Sequence, residues 1–181
     1  LRDNYADNNS IIVRGASNIA DLRGLRGKRI GLPRGTGAEG YLLGILSQNG
    51  MGPNDVTLIN IGPPNLVTGL RQGDVDAIAM WEPVASAAEL RVPGASRLLA
   101  GGCTSCYDPG TVLTSRSVIA QQAEALRRFW LAFAESEQWV RQNFDAAAEI
   151  NMRWIQGIDL DIMKSAIRRS HYDPRVSRLT G

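Results

Sequence analysis

The sequence predicts an α/β fold, a mostly parallel five-stranded sheet with helices on both faces, followed by C-terminal helices. Three observations carry that expectation. Between Arg26 and Glu82 short apolar runs alternate with helical stretches in the order β-α-β-α-β, which parallel sheets with covering helices usually produce. The run Val75–Met80 is continuously apolar, as suits a strand covered on both faces. The turns between the runs are chemically marked: Arg34-Gly35-Thr36-Gly37-Ala38 follows the first strand and Gly62-Pro63-Pro64-Asn65 follows the second.

Each element can be justified in order. Residues 1–9 are polar and rich in Asn and Asp, a linking start. Ser10–Arg14 is a short β-type run, and Ile19–Leu22 begins a helical element that ends near Gly24. Arg29–Leu32 is a strand closed by Pro33. From Gly37 to Asn49 the apolar positions Ala38, Tyr41, Leu42, Ile45 and Leu46 keep i, i+3, i+4 spacing, and Gly50 stops the helix. Val56–Ile61 is the next strand. Pro63 and Pro64 open a helix in its first turn, where a missing N–H costs little, and Gly73 ends it. After Val75–Met80, a helix runs from Pro83 to about Leu90. Arg97–Ala100 and Thr111–Thr114 are further strands. From Ser117 the character changes, dividing an α/β part (1–116) from a helical part (117–181). Ile119–Asn143, Ala146–Ile155 and Leu160–Ser170 read as its three helices.

Composition narrows the function classes. With 181 residues, 44% apolar and 21% charged, the chain buries a real core and is not disordered. Its net charge is only +2, and the basic residues are scattered, so no nucleic-acid partner is expected. Lys28 and Lys164 are the only lysines; the rest of the positive charge is Arg, which suits bidentate anion contacts. No apolar run reaches the roughly 18 residues of a membrane span, so no direct membrane insertion is expected. The chain starts at Leu1-Arg2-Asp3-Asn4 without a signal peptide, as a mature or trimmed chain also would.

Chemistry is expected at the carboxyl ends of the strands, where open parallel sheets collect ligands. Gly35 and Gly37 allow close backbone approach, Thr36 adds a hydroxyl, and the helix start favours an anion; a tight structural turn is the plainer reading. The Lys of a P-loop is missing there, which argues against a nucleotide triphosphate. Trp81 offers an apolar wall and Glu82 an acceptor, though Glu82 also suits a helix cap and Trp81 ordinary packing. Arg14 and Arg34 flank this region, as site residues or as surface charge. Asp74 and Asp76 read as turn and cap residues. Cys103 and Cys106 form a lone C-x-x-C in a loop. An unreactive or disulfide-closed pair, a redox pair and a ligand-lining or metal pair all remain open. His171 lacks a nearby nucleophile pattern, and no catalytic constellation emerges.

Three stretches together carry a family resemblance: SIIVRGASNIADLRGLRGKRIGLPRGTGAE, GDVDAIAMWEPVASAA and TVLTSRSVIAQQAEALRRFWLAFAESEQWV. In this order they resemble the substrate-binding proteins of ABC importers for nitrate, sulfonates and taurine, of the NMT1/THI5-like superfamily. The resemblance implies a type II periplasmic-binding-protein fold, two α/β lobes joined by crossing strands with the ligand between them. It implies that Gly35, Thr36 and Gly37 hold an anionic group, and that Trp81, Glu82, Asn65 and Tyr107 line the cleft. Ser10–Arg14 and Thr111–Arg116 would be the crossing strands, and the helices after Ser117 would lead back towards the first lobe. Members of the family are longer, so this chain is expected to lack most of that first lobe, and also the final helix after Asp173-Pro174-Arg175. The implied partners are a small anionic or zwitterionic solute and the membrane permease of an importer. The implied location is periplasmic or cell-envelope, with no cofactor, no metal and no catalysis. Two other readings stand beside it. One is a pyrimidine-precursor protein of thiamine biosynthesis, whose chemistry needs a reactive histidine in the cleft, while His171 falls beyond the expected cleft segments; the other is the ligand-sensing effector domain of a transcription regulator.

Overall fold

The computed structural model describes residues 8–101, 103, 104, 106 and 112–170. Five strands, β1 (Asn9–Val13), β2 (Arg29–Leu32), β3 (Thr57–Asn60), β4 (Ala77–Trp81) and β5 (Ser96–Ala100), form one sheet in the order β3-β2-β4-β1-β5. β2 pairs in parallel with β3 and β4, whereas β1 is antiparallel to both β4 and β5. Four strands therefore point one way, and β1 runs against them between β4 and β5.

The helices follow the turn chemistry. α1 (Gly37–Gln48) buries Ala38, Tyr41, Leu42, Ile45 and Leu46, the stripe that the spacing defines. α2 (Pro63–Gln72) starts on two prolines and ends on Gly73, whose φ of +84° is the left-handed conformation a glycine C-cap provides. α3 is Val84–Arg91. Side chains alternate along each central strand, so the sheet carries a core on each face. Ile11, Val13, Ala77 and Ala79 meet α1 on one face. Ile12, Ile78 and Met80 meet α2 and α3 residues such as Leu66, Leu70, Ala85 and Ala88 on the other. At Gly31 a Cβ would lie 3.2 Å from the Leu66 side chain and 3.3 Å from those of Ile61 and Val75, so α2 sits closer to β2 than a larger residue allows.

Two expectations differ in detail. The single helix expected over Ile119–Asn143 is two, α4 (Arg116–Gln121) and α5 (Ala123–Gln142), because Gln122 leaves the helical region at φ −132°, ψ 35°. Val112–Ser115 form no strand; the fifth strand of the sheet is β1, inserted between β4 and β5, where its apolar residues are covered on both sides. Thr111, Tyr107, His171 and the Asp173-Pro174-Arg175 region lie outside the described residues. α6 (Phe144–Asn151) and α7 (Leu160–Arg169) build a third cluster from Ala147, Ala148, Met163 and Ile167, with Val140 of α5 at its margin. α7 also contacts α3, which attaches the helical part to the sheet. Among the described residues no helix is long and apolar enough to cross a membrane.

Asp76 pins the amino ends of β2 and β4 together. Its carboxylate accepts from the Arg29 backbone N–H at 3.0 Å, from Nε at 3.2 Å and from Nη2 at 3.0 Å, while its own N–H donates to Arg29 O. The Arg29 guanidinium hydrogen bond, more than any other influence, holds the Asp76 carboxyl below its ordinary value. Because the folded value is depressed, this stabilisation is complete above the unfolded carboxyl value of about 3.9 and fades as pH falls through the lower folded value. Arg29 is 43% exposed, so solvent screens the pair. Asp76→Asn is expected to cost about 1–2 kcal/mol at pH 7 and to flatten the acid limb of a pH series of urea melts. An unchanged acid limb would mean that Asp76 is not the group whose protonation weakens the sheet.

Candidate functional site

Because β2, β3, β4 and β5 are co-directional, their carboxyl ends share one edge of the sheet, and the turns that leave it supply the candidate residues. The β2 turn leads into α1 through Arg34, Gly35 (φ +73°) and the N-cap residue Thr36. The first N–H groups of a helix have no preceding turn to accept them, so Gly37 and Ala38 offer donors here. The β3 turn leads to Asn65 in the first turn of α2, exposed to solvent. β4 ends on Trp81, which is half-buried and packs against the α2/α3 side of the sheet. β1 begins beside it at Asn9, paired with Trp81, and Gly101 N–H donates to Asn9 O at the end of β5.

The structure thus gathers the turn Gly35-Thr36-Gly37, Asn65 and Trp81 along one edge. Glu82 belongs to the same edge by sequence, but its carboxylate turns into the lobe. Glu82 Oε1 lies 3.0 Å from Arg97 Nη1, Oε2 accepts from Ser86 N–H at 3.0 Å, and the side chain is only 2% exposed. The Glu82–Pro83 peptide bond is cis. Arg34 is part of the turn. Arg14 sits at the opposite edge, where its guanidinium lies against Gly73.

A residue not singled out from the sequence governs the α1 turn. Glu39 Oε2 accepts from Gly35 N–H at 2.7 Å, and Glu39 Oε1 pairs with Arg34 Nε at 2.7 Å. The Thr36 hydroxyl donates to Pro33 O at 2.7 Å instead of capping the helix. The anion at this turn is therefore the chain's own Glu39. Thr36-x-x-Glu39 is a capping-box pattern, so a signal for it was present. Asn60 Oδ1 supports the same turn by accepting from Arg34 N–H at 3.1 Å.

The loop after β5 is fixed to α1. The Tyr41 hydroxyl, buried one turn into α1, donates to Gly101 O at 2.8 Å. Cys103 and Cys106 are joined in a disulfide, so of the readings open for this pair the closed loop holds. Cys103 is buried under α1, and Gln48 Nε2 donates to Thr104 Oγ1 at 2.8 Å. A separate shallow depression of about 430 Å³, between Asn49, Leu22 and Leu98, lies near the far end of α1, away from the carboxyl edge.

Comparison with known proteins follows this geometry. The family described as NMT1/THI5 like matches residues 5–147. A Bacillus subtilis (strain 168) protein named for the binding of aliphatic sulfonates is 30% identical over 162 residues, which are 90% of this chain and 48% of that protein. Among solved structures, the periplasmic aliphatic sulphonate binding protein SsuA from Escherichia coli has a TM-score of 0.80 at 22% identity, over 93% of this chain and 57% of that one. The alkanesulfonate-binding protein SsuA from Xanthomonas axonopodis pv. citri, bound to MOPS, has a TM-score of 0.76 at 21% identity over the same shares. These likenesses support the fold, and this chain spans about half the length of the relatives it matches.

Proposed function

The chain belongs to the NMT1/THI5-like family, and from that premise we propose that it is the solute-binding lobe of an ABC-type importer. It captures a small anionic or zwitterionic organic solute, a sulfonate above all, at the carboxyl edge of its sheet and presents it to a membrane permease. The observation that carries the reading is the glycine-flanked start of α1, which opens on that edge beside Asn65 and Trp81. In this reading the N–H groups of Thr36, Gly37 and Ala38 hold the anionic group, and Trp81 covers the apolar portion. Asn65 adds to the lining, and Tyr107, outside the described residues, is a further candidate. Glu82 acts on the site by fixing the end of β4. The name of the Bacillus relative supports a sulfonate as the solute. The closed Cys103–Cys106 pair supports a periplasmic or cell-envelope location, since disulfides persist in oxidising compartments.

Glu39 refines the choice of solute. Its carboxylate holds Gly35 N–H and pairs with Arg34, so a simple anion at the neighbouring N–H groups of Thr36, Gly37 and Ala38 meets its negative charge. A solute carrying an ammonium beside its sulfonate can pair with the Glu39 carboxylate while the sulfonate takes the N–H groups. Taurine is therefore expected to bind more tightly than ethanesulfonate or nitrate.

A thermal-shift series with taurine, alkane sulfonates, nitrate and aromatic carboxylates tests the reading. A solute that binds only the folded chain adds about 2.7 kcal/mol at a hundred times its Kd. The informative variant is Gly37→Pro. Proline is accepted at the first helical position, and Thr36, at ψ 173°, has the extended conformation that precedes proline well. The variant removes one donor and leaves the helix in place. Sulfonate affinity should fall about ten- to a hundredfold, the worth of one hydrogen bond to a charged group, with no change in the unliganded melting temperature. No shift with any solute, or parental affinity in Gly37→Pro, would remove the α1 turn from the site.

A further inference from the structure

The two sulfurs of the Cys103–Cys106 disulfide stand in unlike surroundings. Cys103 is 2% exposed and belongs to the core that α1 forms with the sheet, whereas Cys106 lies at the margin of that core and keeps part of its surface in solvent. The polar groups around them differ in the same direction. Gln48 Nε2 lies 3.9 Å from Cys103 Sγ, within hydrogen-bond reach of a sulfur, and also donates to Thr104 Oγ1 at 2.8 Å. Cys106 Sγ instead faces two acceptors, Gly40 O at 3.6 Å and Tyr41 O at 3.8 Å. A donor steadies a departing thiolate, and carbonyl oxygens oppose one. Access and electrostatics thus select the same course, attack at Cys106 and departure of Cys103. Gly40 and Tyr41 lie in α1, just beyond the Gly35-Thr36-Gly37 turn, so the closure fastens the loop after β5 to the helix that opens the candidate site. The bridged residues are three positions apart, and so short a closure restrains the unfolded chain little. Its opening therefore acts locally.

We propose that Cys106 is a site of thiol–disulfide exchange with Cys103 as the leaving sulfur, and that opening the pair loosens the α1 turn and weakens solute binding. The reductant is an external dithiol. One of its thiolates attacks Cys106 Sγ and forms a mixed disulfide; the Cys103–Cys106 bond breaks, and its electron pair leaves on Cys103 Sγ, which takes up a proton. The second thiolate of the reductant then attacks its own sulfur in the mixed disulfide and releases Cys106, which is protonated in turn. Two electrons and two protons pass to the chain, and the dithiol ends as a disulfide. Weak S–H bonds from Cys106 to Gly40 O and Tyr41 O then stand where a covalent closure stood. The effect on solute rests on the α1-turn reading above; the exchange chemistry does not.

Alkylation by iodoacetamide tests the direction of attack. Cys106, left alone in Cys103→Ala, is expected to react at least about tenfold faster than Cys103, left alone in Cys106→Ser. Equal rates, or a faster Cys103, would overturn the proposal. A second measurement needs no substitution and compares the oxidised chain with the same chain reduced by dithiothreitol. Taurine affinity is expected to fall at least about fivefold on reduction, the lower end of ordinary coupling between two sites. The unliganded melting temperature should drop by only a few degrees, since the closure is short. Equal, measurable taurine affinity in both states overturns the proposal. If neither state binds taurine, the α1-turn reading fails instead, and the Gly101 amide, bonded to Asn9 O at 2.9 Å where the chain leaves β5, decides the matter. Exchange of that amide about tenfold faster after reduction supports a loosened loop, and unchanged exchange overturns the proposal.

Discussion

Arg97→Met is expected to destabilise the protein by about 3–5 kcal/mol, the cost of leaving a buried charge without its partner. Arg97 is 7% exposed and Glu82 2%, and their charged atoms approach to 3.0 Å. The same guanidinium donates through Nε to Glu89 Oε2 at 2.9 Å and contacts the hydroxyls of Ser10 and Ser86. One side chain therefore ties β5 to β1, to α3 and to the end of β4. Methionine keeps much of the apolar stem and removes every one of these donors, and the Glu82 carboxylate then faces the core with only Ser86 N–H. Urea melts at pH 7 give the value, and a double-mutant cycle with Glu82→Gln assigns it. The double variant should recover a large part of the loss, since it buries no unpaired charge. If Arg97→Met alone costs less than about 1 kcal/mol, Glu82 is not desolvated in the way that its exposure implies.

That pair also marks where sequence reasoning stops. Trp81-Glu82-Pro83 at the end of an apolar strand presents Glu82 as an available acceptor, and nothing local announces that Arg97 neutralises it. The placement of β1 is hidden for the same reason. Ile11 pairs with Ala79 and with Leu99, contacts between residues far apart in the chain, so a short apolar run reads as a strand without revealing its direction. Local chemistry was legible where it decides the backbone. The i, i+3, i+4 stripe of α1 is buried residue for residue, and Gly73 adopts the left-handed C-cap. Glu39 was legible as well, through Thr36-x-x-Glu39, but attention to the glycines of the turn passes over it. α5 is the instructive intermediate. The sequence reads one helix over Ile119–Asn143, the structure divides it at Gln122, and no helical signal says what covers the apolar face of α5.

Tyr41→Ala is expected to cost about 3–5 kcal/mol, and Tyr41→Phe about 1 kcal/mol. Tyr41 is 1% exposed within the core that α1 forms with β1, β2 and β4, so truncation opens a cavity that a helix fixed at both ends cannot close by shifting. Its hydroxyl donates to Gly101 O at 2.8 Å, and this bond links α1 to the point where the chain leaves β5. The two substitutions separate two roles. Phenylalanine fills the same space and leaves a buried carbonyl without this donor, so its cost measures the tie alone. Alanine removes both. The functional consequence follows from position. Tyr41 lies one turn beyond the Gly35-Thr36-Gly37 start of α1, and Gly101 leads into the disulfide loop that packs on the same helix. A tie between them sets how the α1 turn and the loop face one another across the carboxyl edge. Tyr41→Phe should therefore weaken taurine binding by more than its stability loss explains, measured well below the melting temperature where the variant is fully folded. Parental affinity in Tyr41→Phe would mean that the loop beyond Gly101 contributes nothing to the site, and that the α1 turn and the ends of β3 and β4 carry it alone.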